Sequence, residues 1–263
     1  MTLDTTLELV SALVQTGVIA LLVFRRIYKT LPLFSSYLVW LLVVQGSSIF
    51  LASYPLTVYE RVFLWISLAD SIFMFCVLIE LSMSVLKPIR SSLPRWTFLL
   101  VGGLFALIFT LVWPLAKPPG IGQWNHTSQH IIQLDITNSV LWIVFFLVIA
   151  GFSQLLSIGW RDRELQIATG LGFYSLVSLS VTLLHMNQGA GNSYQYHYLD
   201  VAASGSYVLS MVYWIVSFAQ KEPERREFTP QMESFLLALA GQARSTRLAM
   251  TGSSGFKKGK NGD

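Results

Sequence analysis

The chain has 263 residues, of which 53% are hydrophobic and 12% are charged, and its mean hydropathy is +0.56. Soluble domains carry about 25% charged residues, so this composition excludes an ordinary soluble protein and predicts an all-α membrane protein with several spans. The net charge of +4 is explained by the charge asymmetry of membrane loops, and we predict the lipid bilayer, not nucleic acid, as its surroundings.

Seven apolar segments are each long enough to cross a bilayer as a helix. The first begins MTLDTTLE, with acids where a secretory signal carries basic residues, so we expect it to remain as a helix. The sequence therefore predicts a seven-helix transmembrane domain over residues 1–220 and a tail over 221–263. The predicted spans cover 5–24, 33–53, 62–86, 97–116, 133–157, 165–185 and 199–219.

The basic residues sort by side of the membrane. Sixteen of the eighteen Lys and Arg residues follow the first, third, fifth and seventh spans, and only Arg61 and Lys117 fall in the opposite loops. Basic loops stay in the cytoplasm. The pattern predicts an outside N-terminus and a cytoplasmic C-terminus in a multi-pass protein of the cell membrane, either a bacterial inner membrane or a plasma membrane.

The third span carries two carboxylates, Asp70 and Glu80, although an acid at the bilayer centre costs roughly 2.5 to 3.5 kcal/mol. They are about 15 Å apart along a helix, which is too far for a shared proton. For Glu80 the sequence favours a pair with a basic residue near the inner surface, such as Lys87. For Asp70 it leaves open a hydrogen-bonded structural role and a role in ligand or proton handling.

A second group of ionisable residues lies in or beside the predicted outer loops. Imidazoles and carboxylates can bind transition metals, but no H-E-x-x-H or Cys-rich motif supports a metal here. Three interpretations stay open: a metal or haem site, a pH-responsive ligand vestibule, and ordinary loop residues. We predict no cofactor. His126 and His130 form an H-x-x-x-H pair, which we expect to lie in a loop before the fifth span. The outer-face candidates are His126, His130, Asp135, His185, His197 and Asp200.

The cytoplasmic tail contains a short segment with helical periodicity, at about 230–249, before a polar end that we expect to be disordered. The basic residues Arg244 and Arg247 follow the apolar stripe, which is typical of a helix lying on anionic lipid. A docking site for a cytoplasmic protein partner is the alternative. The apolar face consists of Met232, Phe235, Leu236 and Leu239.

The layout resembles heptahelical receptors and rhodopsins in topology alone. SMSVLKPIR, after the third span, lacks the acid-Arg-aromatic triplet of the receptors, and LDVAASGSYVLSMVYWIVSF lacks both NPxxY and the retinal-binding Lys. No catalytic motif is present, and the tail is too short for an output domain. The sequence favours a non-enzymatic sensory or scaffold protein acting through a partner. The alternative is a membrane enzyme or a small-solute or proton carrier that uses Asp70, Glu80 and the outer histidines.

Overall fold

The computed structural model describes residues 3–51, 55–86, 97–117, 126–151, 162–187 and 193–220. Within these ranges the chain forms seven α-helices and a 3-10 turn at Ile27–Lys29, without any strand, so the predicted all-α class is confirmed. The helices are α1 (Leu3–Phe24), α2 (Pro32–Leu51), α3 (Leu56–Val85), α4 (Thr97–Val112), α5 (His126–Gly151), α6 (Arg163–Asn187) and α7 (Ser193–Ala219).

Five of these helices are long and apolar enough to cross a membrane. They contain the segments Thr6–Phe24, Val58–Val85, Thr127–Gly151, Arg163–Met186 and His197–Ala219. The other two, α2 and α4, have shorter apolar segments among the described residues, at Pro32–Ser47 and Phe98–Val112. This architecture supports a multi-pass membrane protein. The count of seven spans stays a prediction.

Three helices begin well before the apolar segments from which they were predicted. Helices α3, α5 and α7 start six or seven residues earlier than the predicted spans. Hydropathy detects only the apolar part of a helix, whereas backbone hydrogen bonding can continue through polar residues beyond it. The expected loop around His126 and His130 is therefore wrong, because both residues belong to the first turns of α5.

Six helices form a closed ring, in which α1 packs on α2, α2 on α3, α3 on α5, α5 on α6, α6 on α7 and α7 on α1. Helix α4 packs on the outside of this ring, against α3 and α5. Its Phe105 is buried, whereas Leu99, Leu104 and Leu107 on its other side are more than half exposed. Such a broad exposed apolar face suits contact with lipid.

Helices that are neighbours along the chain run in opposite directions, because the end of one contacts the start of the next. Gln45, near the end of α2, donates to the hydroxyl of Ser11 near the start of α1. At the opposite end, Arg25 follows α1 and donates to the carbonyl of Ala219 at the end of α7, at 2.6 Å, so these two odd-numbered helices run in the same direction. We call the end where the odd-numbered helices begin the N-terminal face. The charge pattern predicts that this face is outside.

Helix α6 is held tightly between α5 and α7. The Trp214 indole N–H donates to the Gln166 carbonyl at 3.1 Å, and the Ser210 hydroxyl donates to the Gly170 carbonyl at 3.0 Å. A Cβ added at Gly170 would overlap the Trp214 ring, and one added at Gly172 would lie 2.7 Å from the Phe146 Cβ. These two glycines let both neighbours approach closely.

Candidate functional site

An open cavity of about 540 Å³ lies between α2, α3, α5 and α6. Its volume falls within the range of small-molecule binding sites. Because two carboxylates face it, we call it the acidic cavity. Its lining comprises Leu41, Val44, Phe63, Ile66, Ser67, Asp70, Ile131, Ile132, Leu134, Asp135, Asn138, Thr182, His185 and Met186.

The two carboxylates of the acidic cavity come from different helices. Asp70 is half-buried near the middle of α3, and Asp135 is exposed on α5, where the surface beside it is this cavity. Both line the same cavity. The Thr182 hydroxyl donates to Asp135 Oδ2 at 3.3 Å. Asp70, which is predicted to lie within the membrane, and Asp135, which is predicted to lie near the outer surface, therefore face the same cavity.

Two buried oxygens at the cavity accept no hydrogen bond from any described residue. They are Asp70 Oδ1 and Asn138 Oδ1. The Asn138 amide nitrogen donates to Ser71 Oγ at 2.8 Å, which orients the side chain and leaves its oxygen as the free acceptor. A buried acceptor without a donor costs about 1 to 3 kcal/mol. A group with N–H or O–H donors would satisfy these two acceptors.

A group of polar side chains joins four helices of the ring. Gln15 of α1 is fully buried and donates to the Leu38 carbonyl at 2.8 Å. The Tyr207 hydroxyl of α7 donates to Gln15 Oε1 at 3.0 Å, and the Tyr207 ring lies edge-on to Tyr174 of α6 at 5.5 Å. These two hydrogen bonds and the ring contact tie α1, α2, α6 and α7 together.

A second cavity of about 530 Å³ opens between α1, α2, α6 and α7. It shares Leu41 and Val44 of α2 with the acidic cavity, and Asp200 and His197 line it. His185 Nε2, in the acidic cavity, lies 3.8 Å from Asp200 Oδ1. This contact joins α6 to α7 between the two cavities, and since Asp200 is 68% exposed, it contributes little to stability.

The six outer-face candidates do not form one cluster. Asp135 and His185 face the acidic cavity, whereas His197 and Asp200 face the second cavity. His130 is exposed, with its ring stacked on Trp113 at 6.4 Å. The first residue of α5, His126, has a side chain that lies outside the described part of the structure. Among the described residues, no group of three or more His, Cys, Asp or Glu side chains could hold a metal.

Glu80 lies near the opposite end of α3 from the acidic cavity. Its two carboxylate oxygens accept the backbone N–H groups of Leu33 and Phe34, at 2.9 and 2.8 Å, so it caps the start of α2. The sequence pointed to Lys87 as a partner, and Lys87 lies outside the described residues. The bonds to α2 make Glu80 part of the helix framework.

Sequence reasoning missed two polar residues that line the acidic cavity with Asp70, namely Asn138 and Thr182, and it missed Tyr174 of the second cavity. The available signal was a polar side chain within an apolar span, as for Asn138, which follows Asp135 by one helical turn. The tail candidates lie outside the described residues: Met232, Phe235, Leu236, Leu239, Arg244 and Arg247.

Comparison of the chain with known protein families, with curated proteins and with solved structures finds no match. The acidic cavity, its unmatched acceptors and the helices that surround it are therefore the basis for inferring function.

Proposed function

We propose that this chain is a membrane sensor, which binds a small solute in the acidic cavity and conveys that binding to a cytoplasmic partner at its tail. The observation that carries the proposal is the cavity itself, where side chains of four helices meet around two acceptors without donors. A solute bound there would contact all four helices at once. Its binding could therefore change how these helices pack.

The cavity chemistry favours binding over catalysis. The Ser67 hydroxyl donates to the carbonyl of Phe63 in its own helix at 2.9 Å. His185, the imidazole of the cavity, faces Asp200 of α7 at 3.8 Å. A nucleophilic site needs a hydroxyl or thiol closely bonded to a base. Ser67 has a backbone carbonyl in that position, and the hydroxyl that does meet a carboxylate, Thr182, donates to Asp135 Oδ2 over a long 3.3 Å.

Helix α6 offers a route from the cavity to the tail. Thr182 and His185 near its end face the acidic cavity, and Gln166 near its beginning accepts the hydrogen bond from Trp214 of α7. Helix α7 ends at Ala219, directly before the predicted tail. Because the glycine contacts pack α6 closely on α7, a displacement of α6 by a bound solute would shift the start of the tail.

A thermal-shift screen of the full-length protein in lipid nanodiscs tests solute binding. The panel contains amines, amino acids, sugars and carboxylates. We expect at least one solute to raise the Tm of the wild type, because a ligand that binds only the folded state stabilises it. The same solute should not stabilise Ser67→Phe, whose ring fills the cavity. Leu68→Phe is the matched control, since Leu68 is 38% exposed and does not line the cavity.

Stabilisation of wild type and Ser67→Phe by equal amounts would contradict binding in the acidic cavity, as would a panel without any active solute. The carrier alternative has a separate outcome. If the active solute accumulates inside liposomes that contain the protein, and Ser67→Phe abolishes that uptake, the chain transports the solute rather than sensing it.

A further inference from the structure

We infer that the ligand of the acidic cavity is a small organic cation, a primary ammonium group attached to an apolar body. This inference rests on the proposed binding function and narrows it to one class of solute. It follows from the charges, the hydrogen-bonding atoms and the apolar walls of the cavity.

The charge of the lining is unbalanced. Asp70 and Asp135 contribute two carboxylates, and the lining contains neither Lys nor Arg. His185 is the basic side chain of the lining, and it faces Asp200 of the neighbouring helix. Two neighbouring carboxylates in apolar surroundings repel each other, and a cation between them removes that repulsion. An anionic ligand would add to it.

The hydrogen-bonding atoms match an ammonium group. A primary ammonium carries three N–H donors and no acceptor. Asp70 Oδ1 and Asn138 Oδ1 are buried acceptors without a donor among the described residues, and the Asp135 carboxylate lies at the same cavity. A carboxylate or another acceptor group in this place would leave both oxygens unsatisfied.

The remaining walls indicate an organic body. A cavity of about 540 Å³ is far larger than a bare metal ion or a single ammonium ion requires. Its side chains away from the carboxylates are mainly aliphatic, with Ile66, Ile131 and Leu134 as examples, and Phe63 adds an aromatic ring. An apolar body would bury surface against these side chains while its ammonium group binds the acids.

Three probes of similar shape test the charge requirement: phenethylammonium, 2-phenylethanol and phenylacetate. Binding of each to the full-length protein in nanodiscs is measured by calorimetry at neutral pH. We expect phenethylammonium to bind, the alcohol to bind at least about tenfold more weakly and phenylacetate not to bind. Asp70→Asn and Asp135→Asn should each weaken ammonium binding by at least about tenfold.

The matched control is Glu8→Gln, which removes a carboxylate from the second cavity and should leave ammonium binding unchanged. A thermal-shift measurement on each variant establishes that it is folded.

The cation inference is overturned, while the binding function stands, if the alcohol and the ammonium bind equally well. In that case Ser67→Phe blocks their binding and neither Asp→Asn variant affects it. Failure of every probe to bind, together with an inactive solute panel, would overturn both. If Glu8→Gln is the only variant that weakens ammonium binding, the cation binds in the second cavity, and its assignment to the acidic cavity is overturned.

Discussion

Glu80 Oε2 accepts the backbone N–H of Phe34 at 2.8 Å, and this bond completes the cap of α2. The first backbone N–H groups of a helix have no partner within the helix. Here Leu31 donates to the Ile27 carbonyl, Pro32 has no N–H, and Glu80 binds both Leu33 and Phe34. Leu31 precedes the helix and has no side-chain acceptor, so the cap comes from another helix.

Removal of this cap should destabilise the bundle. Glu80→Ala leaves two backbone donors unsatisfied, so we expect a loss of about 1 to 3 kcal/mol in the free energy of unfolding. Glu80→Gln keeps one acceptor and should lose less. The measurement is reversible unfolding in mixed micelles, with Glu8→Ala as a control because the Glu8 side chain is exposed. Equal stability of Glu80→Ala and wild type would show that the cap is dispensable.

The contact between α5 and α6 gives a second prediction. Gly172→Ala places a methyl group 2.7 Å from the Phe146 Cβ, an atom that cannot move without its backbone. We expect a destabilisation of about 1 to 3 kcal/mol from this overpacking. The measurement is the same unfolding experiment.

Gly205→Ala is the matched control for that substitution, since a Cβ at Gly205 would have no neighbour within 4 Å. Its stability should equal or slightly exceed that of the wild type, because Ala favours a helix by up to about 1 kcal/mol over Gly. If both alanine variants unfold at the same point, α6 does not require a glycine at position 172.

The sequence predicts the positions of the helices along the chain better than it predicts which helices pack together. Hydropathy reports the apolar length of a segment, which is why α1 and α6 lie close to their predicted bounds. Hydropathy contains no information on which helices pack together. The packing of the helices decides the environment of each acid. Asp70 was recognisable because a carboxylate is costly in an apolar helix. Its neighbours Asn138 and Thr182 are distant in sequence and come together only through helix packing.

Glu80 illustrates the same limit. Its depth in the span is readable from the sequence, which suggested Lys87, seven residues further on, as its partner. The hydrogen bonds that Glu80 makes instead reach residues 46 and 47 positions away. A carboxylate can bind a helix start as well as a basic side chain. The choice depends on the position of α2, which no spacing within α3 reveals.

The topology is tested by reporter fusions that are active only in the cytoplasm. The charge asymmetry predicts active fusions after Lys29, Arg90 and Arg163, and inactive ones after Gln123 and Asn192. Each inactive fusion is paired with a reporter that works only outside the membrane, so that absence of protein is distinguished from translocation. An active cytoplasmic fusion at Gln123 would contradict the seven-span topology.

The tail is the place where the proposed signal leaves the membrane. Burial of apolar side chains is worth roughly 1.5 to 3 kcal/mol each, so the predicted face that includes Phe235 and Leu236 should hold the tail on a surface. Replacement of both by Ser should release it, while the transmembrane helices still insert because their hydrophobicity is unchanged. Glu233→Ser with Gln242→Ser, on polar positions of the same segment, is the control.

Two measurements identify the surface that holds the tail. If it is lipid, a peptide of residues 229–249 should become helical on anionic vesicles and dissociate in high salt, because salt screens Arg244 and Arg247. If it is a protein, the peptide should ignore vesicles, and the Phe235→Ser, Leu236→Ser protein should lose a co-purifying partner that the control retains. A peptide without structure on vesicles and a variant that loses no partner would leave the tail without a binding role, and the proposed route of signalling would fail.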